Sequence, residues 1–161
     1  MANSGNPVTG DNVPVTDTDW GIRVTKTMTF AGGTTNDPGD YDGSGNPATL
    51  FTVNGLVVIR LFAYCTTSLV GNNATLTVGT ADDPDALLVS TTGTDIDKGE
   101  IWHDASPDID IEASTVATEY IMCGTDSNII QTVGTANITA GAINYVCCWY
   151  PISDDGKVEA A

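Results

Sequence analysis

Apolar and polar residues alternate with a period of two along much of this sequence, and this alternation limits the possible folds more than any other feature. Residues 20–30 show it first, with Lys26 the only polar residue on the apolar side. The last such stretch places apolar side chains at every second position: Ile143, Tyr145, Cys147 and Trp149. Successive side chains of a β-strand point to opposite faces, so the pattern predicts half-buried strands. No segment sustains the 3.6-residue period of an amphipathic helix.

The composition agrees with an all-β protein. Among 161 residues there are 24 Thr, 14 Val and 12 Ile, whose β-branched side chains suit a pleated sheet, while 17 Gly and 11 Asn can supply turns. Besides the two alternating stretches, short strands are predicted at residues 48–53, 56–65, 75–78, 86–91, 100–102, 109–111, 119–123 and 129–133. Eight to ten short strands at this spacing are typical of a β-sandwich or jelly roll.

Two local patterns make sharper structural predictions. Asn54-Gly55 separates two apolar runs and predicts a β-hairpin. The second of these runs is apolar on both faces, so we expect a central strand that is buried on both sides. The pentapeptide Thr-Val-Gly-Thr-Ala occurs at residues 77–81 and again at 132–136. It indicates either two related strand–turn–strand units packed across the sandwich or a chance match in a Thr- and Gly-rich chain.

The length fits a single domain with additions at both ends. Residues 1–19 predict an extended N-terminal arm or a disordered terminus, and residues 20–152 the β-sandwich. Within the sandwich, residues 31–47 form a long acidic, glycine-rich loop, and residues 153–161 are expected to be a polar C-terminal tail or arm. The first ten residues lack the basic and apolar stretches of a signal peptide, so we expect synthesis in the cytoplasm without secretion.

The formal net charge of −16 restricts the possible partners. Nucleic-acid binding and binding to anionic membranes both depend on clustered Lys and Arg, and this chain has only five such residues. The longest apolar run, residues 56–65, is interrupted by Arg60 and is too short to span a bilayer. We therefore expect no nucleic acid and no membrane among the partners, which should be proteins, cations or neutral ligands.

One segment of the acidic loop resembles a calcium-binding loop. Asp40, Asp42, Ser44 and Asn46 alternate in the pattern D-x-D-x-S-G-x, whose oxygen atoms can converge on one hard cation. The twelfth position is Phe51 instead of a bidentate Glu, and strands are predicted on both flanks. The alternatives are a calcium site and a solvated acidic loop without any cofactor.

A second acidic cluster surrounds the single histidine. It comprises Asp95, Asp97, Glu100, His103, Asp104, Asp108, Asp110 and Glu112. A carboxylate pair could perform acid–base chemistry, but alternation with Ile109 and Ile111 favours a solvated strand face. The sequence also contains no G-x-S-x-G nucleophile motif and no glycine-rich phosphate loop. We therefore expect no enzymatic activity.

The four cysteines lie in apolar runs at positions 65, 123, 147 and 148. They lack C-x-x-C spacing, which argues against zinc. Cys147 and Cys148 are adjacent, so they should point to opposite faces and not bridge each other. Reduced thiols are expected, with a bridge from Cys65 or Cys123 to the last strand as the alternative.

Three segments resemble the small head decoration, or cement, proteins of tailed bacteriophages. They are residues 77–88 (TVGTADDPDALL), residues 95–107 (DIDKGEIWHDASP) and the ending from residue 139 to 161, and they cover about a third of the chain. The resemblance implies a β-sandwich or jelly-roll subunit that forms a homotrimer on the outer surface of the virion capsid. It also implies that the subunit bridges neighbouring copies of the major capsid protein and has no catalytic residues.

Two other functions remain as alternatives. One is a phage tail or fibre adhesion module that binds a host surface glycan through loop 31–47 and exposed aromatic side chains. The other, which we rank a distant third, is a small β-fold hydrolase with a carboxylate pair between Glu100 and Glu112.

Overall fold

Two antiparallel β-sheets form the body of the protein in the computed structural model, which describes residues 21–32, 36–109 and 121–161. A single 3-10 turn at Gly93–Asp95 interrupts the described strands. In chain order the strands are β1 (Ile22–Phe30), β2 (Ala48–Asn54), β3 (Val57–Gly71), β4 (Thr75–Gly79), β5 (Leu88–Thr92), β6 (Ile101–Trp102), β7 (Ile121–Cys123), β8 (Ile129–Gly134), β9 (Ile138–Pro151) and β10 (Lys157–Ala160). The predicted all-β sandwich is confirmed; the jelly-roll connectivity remains a prediction.

The two sheets contain strands from distant parts of the chain. The first sheet has the order β1-β9-β3-β6, and β7 also pairs with β3. The second sheet has the order β10-β2-β8-β4-β5. Strand β3 therefore has neighbours on both edges, as predicted for the apolar run at 56–65. The predicted burial of both its faces is wrong, because Leu56 and Tyr64 on the outer face of the sheet are 40% and 42% exposed.

The core lies between the two sheets and follows from the period-two pattern. On β3 and β9 the inward positions are Ile59, Leu61, Ile143 and Tyr145, each at most 4% exposed. The second sheet contributes Phe51, Leu76, Val78 and Ile129, all 0% exposed. Burying one large apolar side chain stabilises a fold by about 1.5–3 kcal/mol, so these alternating positions hold the layers together.

The predicted hairpin at Asn54-Gly55 is wrong, because β2 and β3 belong to different sheets. Gly55 does have a positive φ of 62°, as a tight Asn-Gly turn requires. Its N–H donates to Thr125 Oγ1 at 3.0 Å, and the N–H of Leu56 donates to Ser153 Oγ at 2.7 Å. These side-chain acceptors hold a turn that carries the chain from one layer to the other.

The recurring pentapeptides lie side by side, so their predicted packing across the sandwich is also wrong. Strands β4 and β8 are antiparallel neighbours in the second sheet, with Thr77 directly opposite Thr132 and Leu76 opposite Val133. Antiparallel pairing relates the two copies by a local two-fold axis. The repeat is therefore a pairing motif within one sheet.

The predicted C-terminal tail, residues 153–161, instead returns to the second sheet. Strand β10 pairs with β2 along Lys157–Ala160, and Val158 is only 4% exposed opposite Val53. Val158 is the buried apolar side chain of this otherwise polar segment. The amino group of Lys26 donates to the carbonyl of Ala161, which explains the polar residue on the apolar side of β1. The predicted arm at 1–19 lies outside the described residues.

Candidate functional site

The acidic loop at residues 36–47 is anchored to the sandwich by a buried carboxylate. Asp37 is only 6% exposed. Its Oδ2 accepts the N–H of Ala31 at 2.9 Å, and its Oδ1 accepts the N–H of Gly39 at 2.8 Å. A further bond joins the N–H of Ile138 to the carbonyl of Gly39 at 2.8 Å. The loop is thus tied to the ends of β1 and β9.

Two of the four predicted calcium ligands form structural hydrogen bonds. Asn46 Oδ1 accepts the N–H of Val133 at 2.9 Å, while its Nδ2 donates to the carbonyls of Val133 and Tyr41, each at 2.8 Å. Ser44 Oγ donates to Asn36 Oδ1 at 2.6 Å. Asp42 is exposed and Asp40 is half-buried. In the described part of the chain, no group of three or more His, Cys, Asp or Glu could hold a metal ion, and the calcium site stays a prediction.

Replacing Asn46 with Asp separates the structural role from the calcium role. A carboxylate cannot donate to the carbonyls of Val133 and Tyr41, so we expect a loss of about 2–4 kcal/mol in unfolding free energy. Urea unfolding with and without calcium measures this. Asp42→Asn, at an exposed position of the same loop, should change stability by less than about 0.5 kcal/mol. A calcium-dependent gain in the stability of Asn46→Asp would instead identify residue 46 as a ligand.

The second acidic cluster supports local turns in the described residues. Glu100 Oε2 accepts the N–H of Asp97 at 2.6 Å, and Asp104 Oδ1 accepts the N–H of Ser106 at 2.7 Å. Asp110 and Glu112 of the predicted strand face lie outside the described residues. The carboxylates of Glu100 and Asp104 thus each accept a backbone N–H that stabilises a turn.

A buried polar network, which the sequence pattern did not predict, crosses the core. Tyr145 OH donates to Gln131 Oε1 at 2.7 Å, and Gln131 Nε2 donates to the carbonyl of Pro38 at 3.3 Å. Burial raises the pKa of Tyr145 well above its ordinary value, so the phenol stays neutral and keeps its donor hydrogen. Gln131 is 0% exposed, and it occupies a position of β8 where the alternation predicts an apolar side chain. A polar residue at such a position is the sequence feature that indicates a buried hydrogen bond.

A second cross-sheet bond lies beside the first. Trp102 Nε1 donates to Thr91 Oγ1 at 2.9 Å, which joins β6 of the first sheet to β5 of the second. The indole also packs edge-on against the Tyr145 ring, with the ring centroids 6.4 Å apart. These contacts use the polar atoms of the interior to fix the two layers relative to each other.

All four cysteines are buried free thiols, so the alternative bridge to the last strand is absent. Burial raises the pKa of Cys65 to about 11, and it raises the pKa values of Cys123, Cys147 and Cys148 as well. At Cys148 the neighbouring Arg60 guanidinium acts in the opposite direction. Nucleophilic thiolate chemistry at neutral pH is therefore disfavoured at these positions.

The buried thiols predict a loss of stability at alkaline pH. Below pH 9 the thiol of Cys65 is protonated in both the folded and unfolded states, and its contribution is constant. Between its ordinary pKa of 9.0 and its folded value of about 11, the unfolded state releases the proton first, so stability falls as pH rises. Urea unfolding across this range should show the decline, and Cys65→Ala should reduce its slope. An unchanged slope in the variant would contradict the assignment to Cys65.

No family model, curated protein or solved structure matches the chain. Within the described residues, no helix is long and apolar enough to cross a membrane.

Proposed function

We propose that this protein is a non-enzymatic structural protein that decorates the outer surface of a phage capsid. In this role it binds as a homotrimer and bridges neighbouring subunits of the major capsid protein. The observation that carries the proposal is a net charge of −16 on a sandwich whose two layers are joined by buried hydrogen bonds from Trp102 to Thr91 and from Tyr145 to Gln131. Such a protein is suited to mechanical support and to a surface remote from packaged DNA.

A group of acidic side chains projects from one surface loop. Asp82, Asp83 and Asp85 are all exposed in the connection between β4 and β5, which is part of the segment that resembles decoration proteins. Like-charge repulsion disfavours approach to DNA phosphates, so these loops favour the outer shell over the interior of a capsid. The same repulsion opposes aggregation of the free subunit before it reaches the particle.

Binding of this protein to the assembled shell would stabilise the capsid, because binding is linked to assembly. A subunit that binds only where shell subunits adjoin lowers the free energy of the assembled state and opposes their separation. A rigid subunit loses less conformational entropy on binding than a mobile one. The long paired strands β3 and β9, of 15 and 14 residues, suit that requirement.

One observation favours the adhesion alternative. The side chain of Tyr41 is 46% exposed. Its backbone is held by the side chains of Asn137 and Asn46, at 3.0 Å and 2.8 Å. An aromatic ring on an anchored loop is suited to stacking against a sugar ring. Binding of the protein to host cells that Tyr41→Ala abolishes would support this second candidate.

Quantitative mass spectrometry of purified particles from the source tests the proposal. We expect one copy of this chain for each copy of the major shell protein, or for every few copies. A few copies per particle would favour the tail or fibre module, and complete absence would overturn both virion functions. Particles depleted of the chain should also break at lower temperature or lower osmotic stress than complete ones.

A further inference from the structure

The outer face of the first sheet is apolar where β3 begins and β9 ends. Tyr150, Val58 and Met122 occupy one row across β9, β3 and β7. The next row holds Leu56 and Ile152, since the N–H of Ile152 donates to the carbonyl of Leu56 at 2.8 Å and Val57 pairs with Pro151. Alternation along each strand turns the first row away from the core, and Leu56 and Ile152 are exposed beside it.

Four side chains in these rows form an exposed surface, which we call the terminal apolar patch. They are Met122 at 73% exposure, Ile152 at 49%, Leu56 at 40% and Tyr150 at 38%. Contiguous apolar patches on the surface of a monomer usually reach only about 300–600 Å², and they commonly mark an interaction site. The concentration of large apolar side chains in this one area therefore indicates an interaction site.

Charges of opposite sign border the terminal apolar patch. The exposed Arg23 lies in the row beyond Tyr150, because it pairs with Cys148. On the other side, Asp154 and Asp155 follow Ile152 and are exposed. The chain has only five Lys and Arg against 21 Asp and Glu, so a cation at the border of an apolar patch is an uncommon surface element here.

We propose that the terminal apolar patch binds a second copy of this chain, with Arg23 of one copy against Asp154 and Asp155 of the next. Two copies that each carry −16 repel one another over most of their surfaces. The terminal apolar patch has a cation on one side and carboxylates on the other. When a second copy is rotated against it, the apolar centres meet and the cation of one copy faces the carboxylates of the next. This inference supplies a contact for the homotrimer of the proposed function, and it rests on that function only for the number of copies.

Light scattering and sedimentation of the purified full-length protein, over a range of concentrations, test the contact. We expect the mass of three chains, or the mass of two chains if the contact has two-fold symmetry. Met122→Glu should weaken association by at least tenfold, since it places a carboxylate in the apolar centre. Val89→Glu is the matched control, because Val89 is 44% exposed on the second sheet, and this variant should associate normally.

Charge reversal tests the pairing itself. Arg23→Asp should weaken association, and adding Asp154→Arg in the same chain should restore it. Circular dichroism and thermal unfolding establish that each variant is folded. A monomer at every concentration, or an oligomer that tolerates both Met122→Glu and Arg23→Asp, would overturn the inference. Since these experiments use no particles, they can fail while the particle analysis succeeds, and the reverse also holds.

Discussion

Replacing Trp102 with alanine should lower the unfolding free energy by about 3–5 kcal/mol, as for other fully buried aromatic residues. Trp102 is 0% exposed, so the substitution leaves a cavity between the sheets. It also removes the edge-on contact with Tyr145 and the bond from Nε1 to Thr91 Oγ1 at 2.9 Å. Domains of this size are stable by only about 5–15 kcal/mol, so the loss would be a large part of the total.

Urea unfolding followed by circular dichroism measures the effect, and Trp102→Phe is the informative companion. Phenylalanine keeps most of the ring volume but has no N–H to donate to Thr91. We expect it to cost less than half as much as alanine, because the cavity term is the larger one. Equal losses in the two variants would show that the hydrogen bond, and not the packing, dominates at this position.

Replacing Gly79 with alanine should be severely destabilising, while the same change at Gly134 should be mild. The two glycines occupy equivalent positions in the recurring pentapeptide. A Cβ at Gly79 would collide with the carbonyl oxygen of Asp83 and lie 2.6 Å from the carbonyl carbon of Pro84. Those are backbone atoms of the β4–β5 connection, which folds back through the bond from Thr80 N–H to the Asp83 carbonyl at 2.8 Å.

At Gly134 the only close atom is Thr75 Oγ1, at 2.8 Å, and a hydroxyl can rotate away. We therefore expect a loss of about 3 kcal/mol or more for Gly79→Ala and less than about 1 kcal/mol for Gly134→Ala. Thermal and urea unfolding of the two variants, made in parallel, provide the measurement. Similar losses of stability in both variants would contradict this explanation. They would indicate that glycine is required for its backbone conformation, and not to avoid a collision with the β4–β5 connection.

Alternation predicted where strands lie but not which strands pair. The runs at 75–78 and 129–133 match β4 and β8, because burial of every second side chain leaves a signal within each strand. Sheet membership leaves no such signal, since an Asn-Gly turn has a positive φ whether it closes a hairpin or crosses between layers. The wrong hairpin at Asn54-Gly55 and the misplaced repeat have this common cause.

The candidate site was less predictable than the fold. The D-x-D-x-S-G-x pattern drew attention to Asn46, but its side chain serves the backbone of Val133, which is 87 residues away. The anchoring role of Asp37 depends likewise on the position of the neighbouring chain, and so does the cross-sheet contact of Gln131. The sequence pattern could not have predicted contacts that arise only when distant strands meet. For the same reason, the terminal apolar patch becomes visible only when the register of β3, β7 and β9 is known.

The pairing of β1 with β9 affects how the chain can reach its folded state. Ile22 pairs with Trp149, and Val53 pairs with Val158, so both sheets join the early part of the chain to its final residues. During translation, β1 and β2 emerge long before these partners exist. Folding must await the synthesis of β9 and β10, and the dominance of long-range pairings places it in the slow, millisecond-to-second range of all-β proteins. A shortened chain that lacks β9 would leave the long edges of β1 and β3 without these pairings and open to intermolecular strand pairing.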